Sequence, residues 1–192
     1  MFKNVCIYAS SSEYLDKSYF IDASRLGELL GINHLNIIYG GSRLGLMYAC
    51  VSSAKKLGSN IIGVMPEKLV DIGFSNPEDC ESLYITKGMR ERKAKMDELS
   101  DAIIALPGGF GTLEELSEMI VQKQLGYNAK PIILLNTNGF YDNLIKFFDS
   151  IILEKFAIPK TKELYYIAEK PEDAIKYLEN YNSELFCNFS KF

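Results

Sequence analysis

The residues with the clearest capacity for chemistry form the stretch LPGGFGTLEE, residues 106–115. It follows a short apolar run, residues 102–105, that predicts a buried strand, and it leads into apolar residues at helical spacing. Pro107 is expected to end the strand because it has no N–H for the ladder. Free N–H groups at the helix start would then offer an anion site, and phosphate is the usual anion. Three glycines are expected to supply backbone angles that a Cβ forbids and to admit a ligand to the main chain: Gly108, Gly109 and Gly111.

Two familiar phosphate-binding motifs do not fit this stretch. It lacks the Gly-Lys-Ser/Thr of a P-loop, and Glu114 stands where the dinucleotide fingerprint has its third glycine. A structural alternative stays open, because Thr112 and Glu115 have the T-x-x-E spacing of a helix capping box. The three glycines favour a ligand, since a cap requires none of them.

An arginine on an apolar helix face is the second chemical signal. In the helix predicted for MRERKAKMDELS, Arg92 shares a stripe with Met89, Met96 and Leu99, whereas Lys93 falls on the solvated side. An inward guanidinium needs an anionic partner because a buried unpaired charge is costly. That partner is either a protein carboxylate or a substrate phosphate, and Glu115 is the nearest acid in the predicted arrangement.

Two further turns follow predicted strands. Ser10 directly follows the strand at residues 5–9, where its hydroxyl either holds a ligand or forms a plain turn with a helix cap. The strand at residues 35–39 is followed by a glycine-rich turn, residues 40–45, that contains Gly41. If this strand neighbours the one at residues 102–105, both glycine turns face one crevice. Arg43, in the earlier turn, either is solvated or reaches a phosphate.

The remaining pattern alternates strands and helices, and it predicts an α/β fold, a Rossmann-like doubly wound parallel sheet with helices on both faces. The whole chain, 1–192, is expected to form a single domain. A helix ending at Gly31 and a helix at residues 141–155 that buries its apolar side chains are part of this prediction. The long loop at residues 67–79 is expected to be either a binding lid or a disordered segment. Further strands are predicted at residues 60–65, 83–86, 132–135 and 164–168, the last of them an edge strand. The helix that ends at Gly31 covers residues 14–30, and further helices are predicted at residues 46–57 and 171–181.

Composition limits the possible functions. The 192 residues carry a formal charge of −4, which gives no support for a nucleic-acid surface, and no apolar run approaches the roughly 20 residues of a membrane span. The four cysteines are scattered without a C-x-x-C pair, so reduced thiols, a cytoplasmic protein and no metal site are expected. His34, the only histidine, lies in a helix-to-strand link, away from the strand ends where ligands bind, and this argues against a histidine mechanism.

Several motifs together resemble a known family. PGGFGTLEE matches the PGGxGTxxE signature of the LOG ("Lonely guy") family of cytokinin riboside 5′-monophosphate phosphoribohydrolases, and Met89, Arg92 and Lys93 match the accompanying M-x-x-R-K element. YGGSRLGLM resembles the family's first glycine-rich turn, and GFYDNL resembles part of a later segment. The similarity extends to about residue 157. Members are often labelled lysine decarboxylases, but no pyridoxal-binding lysine can be picked out here.

The resemblance implies a homodimer that hydrolyses the N-glycosidic bond of a nucleoside 5′-monophosphate, either AMP or a cytokinin riboside 5′-monophosphate, without a metal or other cofactor. Arg92 and Glu115 would be the catalytic pair. Glu115, at a helix N-terminus, is expected to stay ionised because the dipole there favours an anion. The residues implied to bind the substrate and its phosphate are Ser10, Gly41, Met89, Lys93, Gly108, Gly109, Gly111 and Thr112.

Two other functions remain possible. A non-catalytic nucleotide-binding or molybdenum-cofactor-binding carrier would keep the glycine turns but would need no catalytic carboxylate. A structural protein would use Arg92 and Glu115 only as a salt bridge. The presence of both side chains favours the enzyme.

Overall fold

The computed structural model describes residues 2–73 and 77–183. In this part of the chain, seven strands form one sheet in which every neighbouring pair is parallel. The strands are β1 Asn4–Tyr8, β2 Asn36–Tyr39, β3 Ile61–Pro66, β4 Ser82–Thr86, β5 Ala102–Ala105, β6 Ile132–Leu135 and β7 Tyr166–Ala168. Their order is β4-β3-β2-β1-β5-β6-β7, so β7 is an edge strand as predicted.

Helices cover both faces of this sheet. They are α1 Lys17–Ile32, α2 Gly45–Lys56, α3 Glu67–Asp71, α4 Met89–Leu99, α5 Phe110–Gln124, α6 Asp142–Leu153 and α7 Pro171–Glu179. Side chains alternate along each strand, so Val5 and Ile7 join the core under α1, α2 and α7, whereas Cys6 and Tyr8 join the core under α4 and α5. The predicted doubly wound α/β fold is confirmed.

The connections reverse direction between β1 and β5. The chain leaves β1 for α1 on one face and leaves the adjacent β5 for α5 on the other face. In open α/β sheets, ligands bind in the crevice at such a switch point, outside the carboxyl ends of the strands. The sequence suggested that the two glycine turns follow neighbouring strands. The structure shows that they do not, because β1 lies between β2 and β5.

Some predicted boundaries are wrong. Helix α1 begins at Lys17, where the Asp16 side chain caps it, and it continues through Gly31 to Ile32. Gly31 serves close packing rather than termination, since a Cβ there would lie 2.7 Å from Cβ of Leu57. His34 lies in the link after the helix, where it has a positive φ of 56°. It is exposed, as expected.

The described parts of the segment at residues 67–79 contain two short helical elements. The segment begins with the short helix α3 and ends with a 3₁₀ turn, Pro77–Asp79. Residues 74–76 of the predicted loop lie outside the described residues, as does Cys187 in the tail. Cys6, Cys50 and Cys80 are free thiols.

Helix α6 differs most from its prediction. Its side chains were expected to be buried, yet none is, and Phe147 is 60% exposed. Leu144, Phe148, Ile151 and Ile152 are only partly covered. Within residues 2–73 and 77–183, no helix combines the length and apolar character needed to cross a membrane.

Candidate active site

The PGG turn, residues 106–112, connects β5 to α5 at the switch point. The N-cap of α5 is Gly109, and no side chain caps the helix, so the capping-box alternative for Thr112 and Glu115 is wrong. Thr112 instead packs against Gly108, where a Cβ would lie 2.2 Å from its Oγ1. Because the helix begins one turn earlier than a Thr112 cap requires, Glu115 lies in its second turn and is available for another contact.

The glycines of the PGG turn do not supply the unusual backbone angles that the sequence suggested. None of Gly108, Gly109 and Gly111 has a positive φ. A Cβ on Gly109 or Gly111 would meet nothing within 4 Å, so both positions border open space. The first N–H groups of a helix have no partner within it. Those at the start of α5 therefore offer donors to an anion beside this space.

Arg92 and Glu115 meet as the sequence predicted. Nη1 of Arg92 donates to Oε1 of Glu115 over 2.7 Å, and Nε donates to the carbonyl of Val64 over 3.1 Å. The two residues are 7% and 9% exposed. Removing one member of such a buried pair would leave the other charge uncompensated, which is costly. Helices α4 and α5 thus bring a guanidinium and a carboxylate together beside the PGG turn.

The ionisation of Glu115 is governed by burial and by Arg92. Burial raises the pKa of the Glu115 carboxyl above its usual value, and the Arg92 charge and hydrogen bond oppose that shift. The helix dipole, which the sequence suggested as the stabilising factor, acts mainly within the first turn. Glu115 lies beyond that turn, so Arg92 is the main group that favours its charged form.

The first glycine turn, residues 40–45, lies against Arg92. A Cβ on Gly40 would lie 2.2 Å from Nη2 of Arg92, so only glycine leaves room for the guanidinium. Sequence analysis missed this role of Gly40, although its place in a glycine pair was a signal. Gly41 has φ of 77° and needs glycine for its backbone conformation.

Ser10 joins the two turns through its backbone. Its N–H donates to the Pro107 carbonyl over 3.1 Å, and its own carbonyl accepts the N–H of Leu46 over 3.0 Å. Its hydroxyl accepts the N–H of Ser12 over 3.0 Å, which is the turn that the sequence left open as an alternative to ligand binding.

Three other predicted positions are placed as follows. Lys93 is paired with Glu118 over 2.7 Å and with Glu114, and these two carboxylates raise its pKa. Lys93 therefore ties α4 to α5 on the outer side of the Arg92–Glu115 pair. Met89, at the start of α4, is 50% exposed rather than packed on the apolar stripe. Arg43 pairs with Asp79, with Nη2 donating to Oδ1 over 2.9 Å.

Comparison with known proteins gives one family. A family model described as "Possible lysine decarboxylase" matches residues 47–178. The probable cytokinin riboside 5′-monophosphate phosphoribohydrolase LOGL6 of Oryza sativa subsp. japonica is 37% identical over 181 residues, which cover 94% of this chain and 72% of the relative. The cytokinin riboside 5′-monophosphate phosphoribohydrolase LOG3 of Arabidopsis thaliana is 37% identical over 180 residues, which cover 94% and 83%.

Solved structures share the fold at lower identity. A molybdenum cofactor binding protein from Rippkaea orientalis has a TM-score of 0.71 and 22% identity, with 93% of this chain and 96% of that chain covered. The Moco carrier protein of Chlamydomonas reinhardtii has a TM-score of 0.71 and 21% identity, with the same coverage. At this identity the likeness concerns the fold alone.

Proposed function

Because the chain belongs to the LOG family of cytokinin riboside 5′-monophosphate phosphoribohydrolases, we propose that it hydrolyses the N-glycosidic bond of a nucleoside 5′-monophosphate. The products are the free base and ribose 5-phosphate, and AMP and cytokinin riboside 5′-monophosphates are the candidate substrates. The observation that carries the proposal is the buried Arg92–Glu115 pair, with 2.7 Å between Nη1 and Oε1, beside the PGG turn. A carrier with the same fold would need no such pair.

The chemistry follows from these groups. As the bond from C1′ to the base nitrogen breaks, its electrons go to the base and positive charge develops on the ribose. The Glu115 carboxylate stabilises that charge and accepts a proton from the water whose oxygen bonds to C1′. The departing base nitrogen takes up one proton from solvent, and Glu115 returns its proton to solvent, so the step balances. The N–H groups of the PGG turn bind the phosphate, and this remote binding positions the ribose over the carboxylate. Arg92 holds Glu115 in place.

The proposal is tested by incubating the protein with AMP or isopentenyladenosine 5′-monophosphate and separating the products by chromatography. Release of free base and ribose 5-phosphate supports the hydrolase. Nucleotide that binds but stays intact identifies a carrier and rejects the proposal. Comparing kcat/KM for the two nucleotides then shows whether the prenyl group is recognised, since equal values argue against a dedicated role in cytokinin activation.

Lysine decarboxylation fits the structure poorly. A pyridoxal enzyme needs a lysine beside the substrate that readily loses its proton. Lys93 has the opposite property, because Glu114 and Glu118 raise its pKa. Lys123 is buried and its pKa is lowered to about 7. It lies near the end of α5, however, about 20 Å from Gly109 at a rise of about 1.5 Å per residue.

The pH dependence of the reaction should reflect Glu115. The reactive form is the carboxylate, and burial raises its pKa above the usual value of 4.5. As pH falls through this raised pKa, the carboxylate is protonated and kcat/KM falls. We therefore expect the acid limb of the kcat/KM profile for AMP to lie above pH 4.5, and steady-state rates from pH 4 to 8 measure it.

The substrate phosphate also titrates near pH 6, so its contribution needs a control. Adenosine 5′-phosphorothioate has a more acidic terminal group than AMP and serves this purpose. A limb at the same pH for both substrates belongs to the enzyme. A limb that moves to lower pH with the phosphorothioate belongs to the substrate and contradicts the assignment to Glu115.

We further propose that the protein is a homodimer. The outer surface of α5 and α6 is apolar and exposed, which in a single protein chain is typical of an interaction site. The side chains concerned, here called the α5–α6 face, are Val121 at 50%, Leu125 at 44%, Phe147 at 60%, Leu153 at 78% and Phe156 at 85% exposure. A second copy would cover this face, and that accounts for apolar residues on α6 that its own chain leaves open.

A cytoplasmic location stays a prediction from the scattered cysteines.

Phe147→Asp should convert the dimer to a monomer, because the carboxylate would have to lose its water in an apolar interface. Analytical ultracentrifugation of the variant and the wild type measures this. Ile21→Asp is the matched control, since Ile21 is 66% exposed on α1, across the sheet, and this variant should stay dimeric. A monomeric wild type at micromolar concentration, or a dimeric Phe147→Asp variant, contradicts the proposed interface.

A further inference from the structure

A buried tyrosine connects the start of α6 to the PGG turn. Tyr141 is 4% exposed, and its hydroxyl donates to the carbonyl of Leu106 over 2.6 Å. Its backbone N–H donates to Oδ1 of Asn136 over 2.8 Å, and Nδ2 of Asn136 donates to Oδ1 of Asp142 over 2.9 Å. The Tyr141 backbone is thus anchored to the residue that follows β6, while its hydroxyl contacts the residue that follows β5.

Leu106 directly follows β5 and is the first residue of the PGG turn. On the β1 side, its N–H donates to the carbonyl of Tyr8 over 2.8 Å, and the next residue, Pro107, accepts the N–H of Ser10 over 3.1 Å. The Tyr141 hydroxyl holds the Leu106 carbonyl from another part of the chain. Only two residues then separate Leu106 from Gly109, the N-cap of α5. The orientation of this peptide thus determines where the N–H groups of the turn point.

We propose, building on the proposed function, that Tyr141 is a positioning residue for the phosphate-binding turn. Its hydroxyl fixes the Leu106 peptide and thereby aims the donors at the start of α5. It reaches no reacting atom itself. Losing the hydroxyl leaves the ring packed against Phe140, with 5.0 Å between centroids, but releases the Leu106 carbonyl. The turn then samples orientations that bind phosphate less well, and the ribose is placed less precisely over Glu115.

Tyr141→Phe tests this inference, and Tyr181→Phe is the matched control. The Tyr181 hydroxyl also donates to a backbone carbonyl, that of Ala129, over 2.7 Å, but at the opposite end of α5. Three measurements are made on both variants and on the wild type. Hydrogen exchange followed by mass spectrometry reports on residues 106–112, calorimetry gives the Kd for AMP, and steady-state kinetics separate KM from kcat.

For Tyr141→Phe we expect faster exchange in residues 106–112 and about tenfold weaker binding of AMP, because an ångström-scale misplacement is costly at such a site. KM should rise by a similar factor, and Tyr181→Phe should match the wild type in all three measurements. Equal exchange and equal Kd in both variants would show that Tyr141 is merely structural and would overturn the inference.

The failure of the proposed function gives a different pattern. If the wild type binds AMP without cleaving it, hydrolysis is rejected, but faster exchange and weaker binding in Tyr141→Phe still support the positioning role. If the wild type does not bind AMP at all, the turn is not a site for this phosphate and the inference fails as well.

Discussion

Glu115→Gln is expected to lower kcat/KM for AMP about 10³-fold while the protein stays folded, which is within the range for loss of a catalytic acid–base group. The amide has nearly the shape of the carboxylate, and its oxygen can still accept the hydrogen bond that Nη1 of Arg92 donates over 2.7 Å. It cannot carry the negative charge that the ribose cation needs, nor accept a proton from water. Steady-state kinetics and thermal unfolding of the variant measure the two effects separately.

Glu114→Gln is the matched control for this substitution. Glu114 is the neighbouring acid on α5, but its side chain is 58% exposed and contacts Lys93 rather than Arg92. Exposed ion pairs contribute little, so this variant should keep nearly full activity. If Glu115→Gln instead keeps full activity and only unfolds at a lower temperature, the pair is a structural salt bridge and the catalytic assignment is wrong.

The sequence predicted the pairing of Arg92 and Glu115 because both side chains obey local rules. Helical periodicity alone places Arg92 among apolar residues, and a buried guanidinium requires an anion. The glycine signature at the end of a short apolar strand likewise indicated a strand-to-helix turn, and α5 begins there. Strand and helix alternation was sufficient for the doubly wound sheet. The catalytic role of the pair stays a prediction.

Local rules failed where two registers were equally consistent with the sequence. T-x-x-E spacing suggested a cap at Thr112, but the N-cap of α5 lies three residues earlier, at Gly109. Gly31 resembled a helix-ending glycine, yet its lack of a Cβ serves the contact with Leu57. In both cases the sequence predicted a local role, helix capping or helix termination, whereas the structure gives the residue a packing role.

Two contacts between distant segments could not be predicted from the sequence. Gly40 touches Arg92 and Tyr141 touches Leu106, and nothing in the local pattern joins either pair. The prediction that α6 is buried failed for a related reason. Apolar periodicity indicates that a helix face is covered, but it does not indicate whether the same chain covers it. Phe147 satisfies that pattern and is 60% exposed.

Gly40→Ala should lower kcat/KM for AMP about 100-fold, since a misplacement of about 1 Å at a catalytic group has an effect of this order. A Cβ on residue 40 would lie 2.2 Å from Nη2 of Arg92, so the guanidinium must move. Nη1 of the same group donates to Glu115, and the carboxylate would lose its position together with it. The backbone itself is not strained, because Gly40 is not among the residues with positive φ.

Two variants distinguish displaced Arg92 from a generally weakened fold. Gly31→Ala places a Cβ 2.7 Å from Cβ of Leu57, away from the site, and should lower the unfolding temperature without changing kcat/KM. Arg92→Lys lacks Nη2, so it should cost less in the Gly40→Ala background than in the wild type, and a double-mutant cycle measures this coupling. Additive effects, or a Gly40→Ala variant within twofold of wild-type kcat/KM, would show that the contact does not set the position of Glu115. A strong coupling would instead show that the first glycine turn acts on catalysis through Arg92, from a strand that does not adjoin β5.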